Sequence, residues 1–185
     1  QCKYIARMDA DDLCMSTRLE KQVAYLDSHP EVIICGAQIE YFGTKSNKYV
    51  KLSFPTKDKI LKEMLAFSTC FAHPTVMMRK DIIVKNKLQY DYDYKNAEDY
   101  CMWINMISLG KFANLDEALV KYRISDAQVS QPYNLQTIKS VMACRRKYLE
   151  RYLSEDEIKD LFESPIKVWT VKSIKQKISN PRVIE

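Results

Sequence analysis

The sequence predicts an α/β fold, because strands and helices alternate along it. Residues 4–8 are a mostly apolar run of strand length, and residues 32–36 are another. A helical pattern that continues through Asp27 lies between them. Apolar runs of this length suit buried strands. At 21.7 kDa and 46% apolar residues, the chain can bury one core of ordinary domain size.

Three carboxylates follow the first predicted strand within four positions, at Asp9, Asp11 and Asp12. In open parallel sheets, ligands bind outside the carboxyl ends of the strands. Close carboxylates raise each other's pKa unless a cation lies between them. Such acids suit Mg²⁺ or Mn²⁺, which take oxygen ligands and bridge to phosphates. A solvated acidic turn that caps the next helix is the alternative interpretation.

The first predicted helix begins after Ser16 or Thr17 and ends at His29-Pro30. Thr17 and Glu20 have the spacing of a capping box. The predicted apolar face contains Leu19, Val23 and Leu26.

Glycine is rare, with three residues in 185, at positions 36, 43 and 110. Their spacing excludes both the G-x-G-x-x-G turn and the Walker A loop. Any phosphate bound by this protein must therefore be held by a metal ion or by basic side chains.

A second acidic pair, Glu98 and Asp99, opens a predicted helix of about a dozen residues that Gly110 ends. Its packing positions are Trp103, Met106 and Ile107. The helix dipole is expected to lower the pKa of these acids and keep them ionised. Helix capping without a catalytic role is the alternative.

Residues 131–185 are predicted to form a helical basic tail. Residues 135–185 hold 11 basic and 7 acidic side chains, whereas the remainder of the chain is nearly neutral. The absence of a basic, aromatic-interleaved stripe in the body argues against nucleic-acid binding. Residues 166–178 form a basic amphipathic pattern that suits peripheral membrane contact, or packing on the catalytic domain or on a second copy in a homodimer.

The six cysteines are scattered without a C-x-x-C pair, and the longest apolar run is far below the ~18 residues of a membrane span. Reduced, partly buried thiols and a cytoplasmic location, with the tail at the inner membrane face, are therefore expected.

Several sequence blocks occur in a specific order and spacing. They are YIARMDADD (residues 4–12), RLEKQ (18–22), HPEV (29–32), HPTVMMR (73–79), AEDY (97–100), GKFANL (110–115) and YRI (122–124). Together they resemble the family 2 glycosyltransferases of the GT-A fold. The resemblance implies a Rossmann-like mixed sheet flanked by helices, with residues 1–130 as the C-terminal half of the catalytic domain and its N-terminal part missing.

The resemblance also implies roles for the acids. Asp9 is expected near the ribose of the donor and Asp11 on the divalent metal ion, while Asp12 orients its neighbours or starts the loop. Asp99 matches the general base of the family, and Glu98 is expected to reach the acceptor or to orient Asp99.

Three further residues match positions near the family's pocket. His73 is expected to be a pocket residue or a hydrogen-bonded structural histidine, and Trp103 is expected to line the acceptor side. Arg123 matches an arginine that suits the pyrophosphate, because its planar fork fits phosphate geometry. Many relatives carry a histidine two positions later, where this chain has Ser125.

These expectations predict an inverting glycosyltransferase that moves one sugar from a nucleotide-sugar, a UDP-sugar by analogy, to a hydroxyl of a glycan or lipid-linked acceptor. The Q-x-x-R-W signature of processive synthases is absent from the sequence. Two alternatives remain open: a binding module without turnover, and another metal-dependent enzyme such as a phosphohydrolase or nucleotidyltransferase.

Overall fold

The computed structural model describes residues 2–43, 53–124 and 135–163. Five strands in these ranges form one mixed sheet in the order β1-β4-β3-β5-β2. The strands are β1 (Tyr4–Ala6), β2 (Leu13–Cys14), β3 (Val32–Phe42), β4 (Met77–Arg79) and β5 (Lys111–Arg123). The helices are α1 (Arg18–Ser28), α2 (Asp58–Met64), α3 (Lys80–Lys85), α4 (Glu98–Met106), α5 (Leu135–Leu149) and α6 (Glu155–Glu163), and a 3₁₀ turn spans His73–Thr75. The predicted α/β class is confirmed.

The centre of the sheet is the parallel pair of β3 and β5, whose register runs from Val32 opposite Lys111 to Phe42 opposite Arg123. The first eight residues of β3 are buried, as expected for a strand covered on both faces. β3 continues well beyond the predicted end at residue 36, because β5 pairs with it along its whole length.

β1 is shorter and more exposed than the predicted buried strand over residues 4–8. It pairs antiparallel with β4 and is only partly buried, because within the described residues it lies at the outer position of the sheet. β4 is also antiparallel to β3, so β1, β3 and β5 point in the same direction. Their carboxyl ends therefore lie at one end of the sheet.

Leu26 and Val23 of α1 pack in the core as predicted, but Arg18 and Gln22 are buried where Leu19 was expected. The buried residues of this helix are Arg18, Gln22 and Leu26, whereas the side chain of Leu19 is 53% exposed. Thr17 is the N-cap residue, as predicted, but its side chain makes no hydrogen bond to the helix, so the predicted capping box does not form. The segment is helical, as its periodicity predicted. Two of its polar side chains are buried because they have hydrogen-bond partners inside the protein.

The buried polar residues of α1 connect three other elements. The Nη2 of Arg18 donates to the carbonyl oxygen of Arg7 at 2.7 Å, and its Nε donates to the Oε1 of Gln22 at 3.0 Å. The Nε2 of Gln22 in turn donates to the carbonyl oxygens of Cys35 and Thr75, at 2.9 and 2.8 Å. We call this set of contacts the Arg18–Gln22 network.

The largest part of the hydrophobic core surrounds α4, where Trp103 is fully buried. α5 and α6 contribute Cys144, Tyr148 and Ile158 to the same core, so residues 135–163 pack on the body. A capping box begins α6, because the carboxylate of Glu157 accepts from the Ser154 N–H at 2.9 Å and the N–H of Glu157 donates to the Ser154 Oγ. The predicted amphipathic segment at 166–178 lies outside the described residues.

Among the helices described, none combines the length and the apolar composition that crossing a membrane requires.

The Arg18–Gln22 network predicts an unusual pattern of mutational effects on α1. Gln22→Ala should lower the free energy of unfolding by about 2 kcal/mol or more, because the buried acceptors of its amide lose their donor. Leu19→Ala, the matched control on the exposed face, should change it by no more than about 0.5 kcal/mol. Urea unfolding monitored by circular dichroism measures both, and a larger effect at Leu19 would contradict the observed helix orientation.

Candidate active site

The loop of residues 7–12, the acidic loop, connects β1 to β2 and crosses the carboxyl end of the sheet. At its start, the N–H of Arg7 donates to the carbonyl oxygen of Val76 at 3.0 Å. The guanidinium of Arg7 forms a two-contact ion pair with the carboxylate of Asp9, with Nη1 at 2.6 Å from Oδ2. The predicted position of the acids at the end of a strand is therefore observed.

Asp12 is the most buried carboxylate of the acidic loop, with 8% of the residue exposed. Its Oδ1 accepts the backbone N–H of Arg123 at 2.8 Å, while its Oδ2 is buried and has no partner in the ranges that the structure describes. Burial raises the pKa of Asp12, the hydrogen bond from Arg123 opposes that shift, and the charges of Asp9 and Asp11 add to it.

Asp11 presents an exposed carboxylate next to Asp12 in the chain. Its carbonyl oxygen accepts from the Nε of Arg123 at 2.8 Å, and that guanidinium also lies over the ring of Phe42, at 4.5 Å from the centroid. Arg123 therefore joins the end of β5 to the acidic loop.

The acidic loop fits a divalent cation that is shared with a bound phosphate. The unpaired Oδ2 of Asp12 and the exposed carboxylate of Asp11 are hard oxygen donors. Within the described ranges, no group of three or more His, Cys, Asp or Glu side chains could hold a metal ion by itself. Mg²⁺ is commonly bound by one or two carboxylates together with substrate phosphates, and Asp11 and Asp12 are the residues that could contribute to such a site.

His73 lies in the 3₁₀ turn before β4, and its Nε2 is 2.9 Å from the hydroxyl of Tyr90. Burial lowers the pKa of His73 to about 3, and the positive charge of Arg7 contributes to the shift. The imidazole is therefore neutral at physiological pH. Its ring contacts the edges of Tyr90 and Trp103, with centroids 5.4 and 5.9 Å apart.

Trp103 is fully buried, so its predicted contact with an acceptor requires a rearrangement. In this structure it packs between Phe71 and His73 as part of the core. Trp103 therefore contributes to the pocket only through its ring contact with His73.

Asp99 occupies the first turn of α4, as predicted, but its pKa is shifted in the opposite direction to the one predicted. Burial raises the pKa of Asp99 to about 6, the N–H of Tyr100 opposes this, and the charge of Glu98 adds to it. The prediction from the helix dipole was wrong, because the cost of burying this carboxylate exceeds the stabilisation by the helix N-terminus.

Arg7 is the residue that connects the two acidic groups and that the sequence reasoning missed. Its positive charge lowers the pKa values of Asp12, His73, Tyr90 and Asp99 relative to what burial alone would give. The four groups therefore lie within electrostatic range of one guanidinium. The sequence feature that could have pointed to Arg7 is its position as a charged residue within the mostly apolar residues 4–8.

Tyr90 is a second residue on which charges from both acidic groups act. Burial raises its pKa, Arg7 opposes that, and the negative charges of Asp99, Glu98 and Asp9 raise it further. Charges of the acidic loop and of the start of α4 therefore both act on Tyr90, whose hydroxyl is hydrogen-bonded to His73. Ser125, the position where many relatives have a histidine, lies outside the described residues.

Sequence comparisons show what this chain resembles. Residues 1–86 match the sequence model of glycosyl transferase family 2. The chain is 35% identical over 166 residues to the O-antigen biosynthesis glycosyltransferase WbnJ of Escherichia coli, which covers 85% of this chain and 61% of WbnJ. It is 34% identical over 137 residues to the amylovoran biosynthesis glycosyltransferase AmsE of Erwinia amylovora, which covers 74% of this chain and 50% of AmsE.

An uncharacterised glycosyltransferase of Haemophilus influenzae is 32% identical over 161 residues, and 50% of its length is covered. The chain thus spans about half the length of the curated relatives it matches. Among solved structures, residues 1–349 of S. aureus TarS in complex with UDP superpose on 96% of this chain and 56% of that one, with a TM-score of 0.57 at 16% identity. This similarity supports the GT-A fold.

Proposed function

Because the chain belongs to glycosyl transferase family 2, we propose that it is an inverting glycosyltransferase that moves one sugar from a UDP-sugar to a hydroxyl acceptor. The observation that carries this proposal is that the acidic loop and the start of α4 both act electrostatically on Tyr90, which is hydrogen-bonded to His73. One acidic group is available for the donor, and the other for the nucleophile.

The donor side of the proposed site is the acidic loop with Arg123. Asp9 would bind the ribose, Asp11 and the Oδ2 of Asp12 would hold Mn²⁺ or Mg²⁺, and Arg123 would bind the diphosphate. When bound, the divalent ion neutralises the negative charge that develops on the leaving nucleoside diphosphate. The positions of Asp12 and Arg123 are coupled by their hydrogen bond, so the ion and the diphosphate are recognised by one connected unit.

Asp99 is the proposed general base. With a pKa of about 6 it is mostly ionised at pH 7, and it is a stronger base than an ordinary aspartate. The carboxylate removes the proton from the acceptor hydroxyl, the oxygen forms a bond to the anomeric carbon, and the bond from that carbon to the diphosphate breaks. Attack opposite the leaving group inverts the anomeric configuration. Glu98 orients Asp99 or contacts the acceptor.

The relatives support a role in bacterial polysaccharide synthesis. WbnJ and AmsE are named for O-antigen and amylovoran biosynthesis, and the TarS structure contains UDP. We therefore propose a growing glycan, free or lipid-linked, as the acceptor and UDP as the nucleotide of the donor.

The donor site predicts metal-dependent binding of UDP. In isothermal titration, UDP with Mn²⁺ should bind the chain, and Asp11→Ala should weaken that binding by about ten-fold or more, because a charged ligand of the ion is lost. Asp156→Ala, which removes an exposed carboxylate of α6, is the matched control and should bind as the parent does.

A parent chain that does not bind UDP in the presence of Mn²⁺ would contradict both the transferase and the binding-module alternative. Binding without turnover would favour the binding module. Release of phosphate or pyrophosphate without sugar transfer would favour a phosphohydrolase or nucleotidyltransferase.

The base assignment predicts that Asp99→Asn lowers kcat by about 10²–10⁴-fold, the usual contribution of a positioned general base. Its affinity for UDP and Mn²⁺ should be retained. Transfer of radiolabelled sugar from UDP-glucose, UDP-galactose and UDP-N-acetylglucosamine measures the loss. Asp81→Asn, at an exposed position of α3, should keep full activity.

The pH profile separates a base from a structural carboxylate. Protonated Asp99 cannot accept a proton, so kcat should fall about ten-fold per pH unit below a pKa of about 6 and level off above it. The residual activity of Asp99→Asn should lack this inflection. Full transfer by Asp99→Asn, or an unchanged inflection, would remove the assignment.

A further inference from the structure

A groove of about 650 Å³ lies beside the proposed active site, and the mechanism above makes no use of it. The loop of residues 86–93, between α3 and α4, forms most of it, and Asn105 of α4 lines it as well. We call it the loop groove. Its volume falls within the range of about 300–1,000 Å³ that is typical of small-molecule sites. Asp99 is on the same helix as Asn105, so the groove and the proposed base share one rigid element.

Hydrogen-bonding side chains dominate the lining of the loop groove. Asn86, Gln89 and Asn105 provide amides, and Asp91 and Asp93 provide carboxylates. Amides both donate and accept hydrogen bonds while carboxylates accept them, which matches the neighbouring hydroxyls of a sugar ring. An apolar ligand would desolvate these groups without replacing their hydrogen bonds.

Tyr92 adds an aromatic surface to the loop groove. It is 88% exposed, whereas Tyr90 and Tyr94 on either side are partly buried. The loop is held in shape because the N–H of Asp93 donates to the Oδ1 of Asp91 and the N–H of Tyr94 donates to the Asp91 carbonyl oxygen. Tyrosine combines an apolar ring with a polar hydroxyl, so it suits a ligand with both C–H faces and hydroxyl groups.

Tyr90 links the loop groove to the reacting centre. It lines the groove, and its hydroxyl is hydrogen-bonded to His73. The charges of Asp99 and Glu98 add to the raised pKa of this hydroxyl. Tyr90 therefore connects the loop groove to His73 and lies within electrostatic range of the proposed base.

We propose that the loop groove is the acceptor subsite and that it binds a glycan. The terminal sugar places its hydroxyl at Asp99, and the ring behind it packs on Tyr92 while Asp93 and Asn105 bind its hydroxyls. This inference rests on the proposed function, because it identifies the acceptor of that reaction.

Saturation-transfer NMR on the chain tests this proposal, with methyl β-glycosides of glucose, galactose and N-acetylglucosamine and with lactose and cellobiose as probes. Tyr92→Ala should weaken binding of the sugars roughly ten-fold, and Tyr92→Phe should restore it because the ring is kept. Phe67→Ala is the matched control, since Phe67 is another exposed aromatic residue and does not line the groove. Asp93→Asn should weaken binding without changing the fold, as checked by circular dichroism.

The spectra are recorded with and without UDP and Mn²⁺, so that the acceptor and donor sites are measured separately. Sugar binding that depends on Tyr92 supports the proposal, even where UDP fails to bind and the transferase itself is refuted. Absence of saturation transfer to every probe would overturn it. Equal binding by the parent, Tyr92→Ala and Asp93→Asn would overturn it as well.

Discussion

The geometry of the site depends on the buried guanidinium of Arg18. Burial lowers its pKa, yet an arginine remains protonated in proteins. A buried charge is tolerated only when hydrogen bonds replace its hydration. Here the acceptors are the carbonyl oxygens of Arg7 and Val76 and the side chain of Gln22. Because the Arg7 carbonyl lies two residues before Asp9, the contact that satisfies the charge also fixes the start of the acidic loop.

The second constraint is electrostatic. Three carboxylates, Asp9, Glu98 and Asp99, act on the same neighbour, Tyr90, and this arrangement would be repulsive without a cation. Arg7 pairs with Asp9 and partly compensates the others. Asp99 nevertheless keeps a raised pKa while Asp9 is held as an ion pair. Two acids in one site with different environments can serve different roles, one as a base and one as the partner of a cation.

The α/β class and the two acidic groups could be predicted, because each rests on a local pattern. The buried face of α1 could not, since periodicity assigned Leu19 to the core while Gln22 has partners in distant segments. The direction of the Asp99 pKa shift and the role of Arg7 could not be predicted either. Both follow from charges and burial that meet only after folding, and a sequence gives no distance between them.

The position of α4 links the base to the last described helices. The Sγ of Cys144 on α5 donates to the carbonyl oxygen of Ala97 at 3.7 Å, one residue before α4, and the amide of Asn96 donates to the Thr137 hydroxyl at 2.9 Å. These contacts hold the N-terminal end of α4, and therefore Asp99. The charge pattern assigned residues 135–149 to a basic tail. In the structure they pack against the start of α4, which carries the proposed base. A disturbance of α5 would consequently be transmitted to the proposed base before it reached the acidic loop, which the Arg18–Gln22 network holds independently.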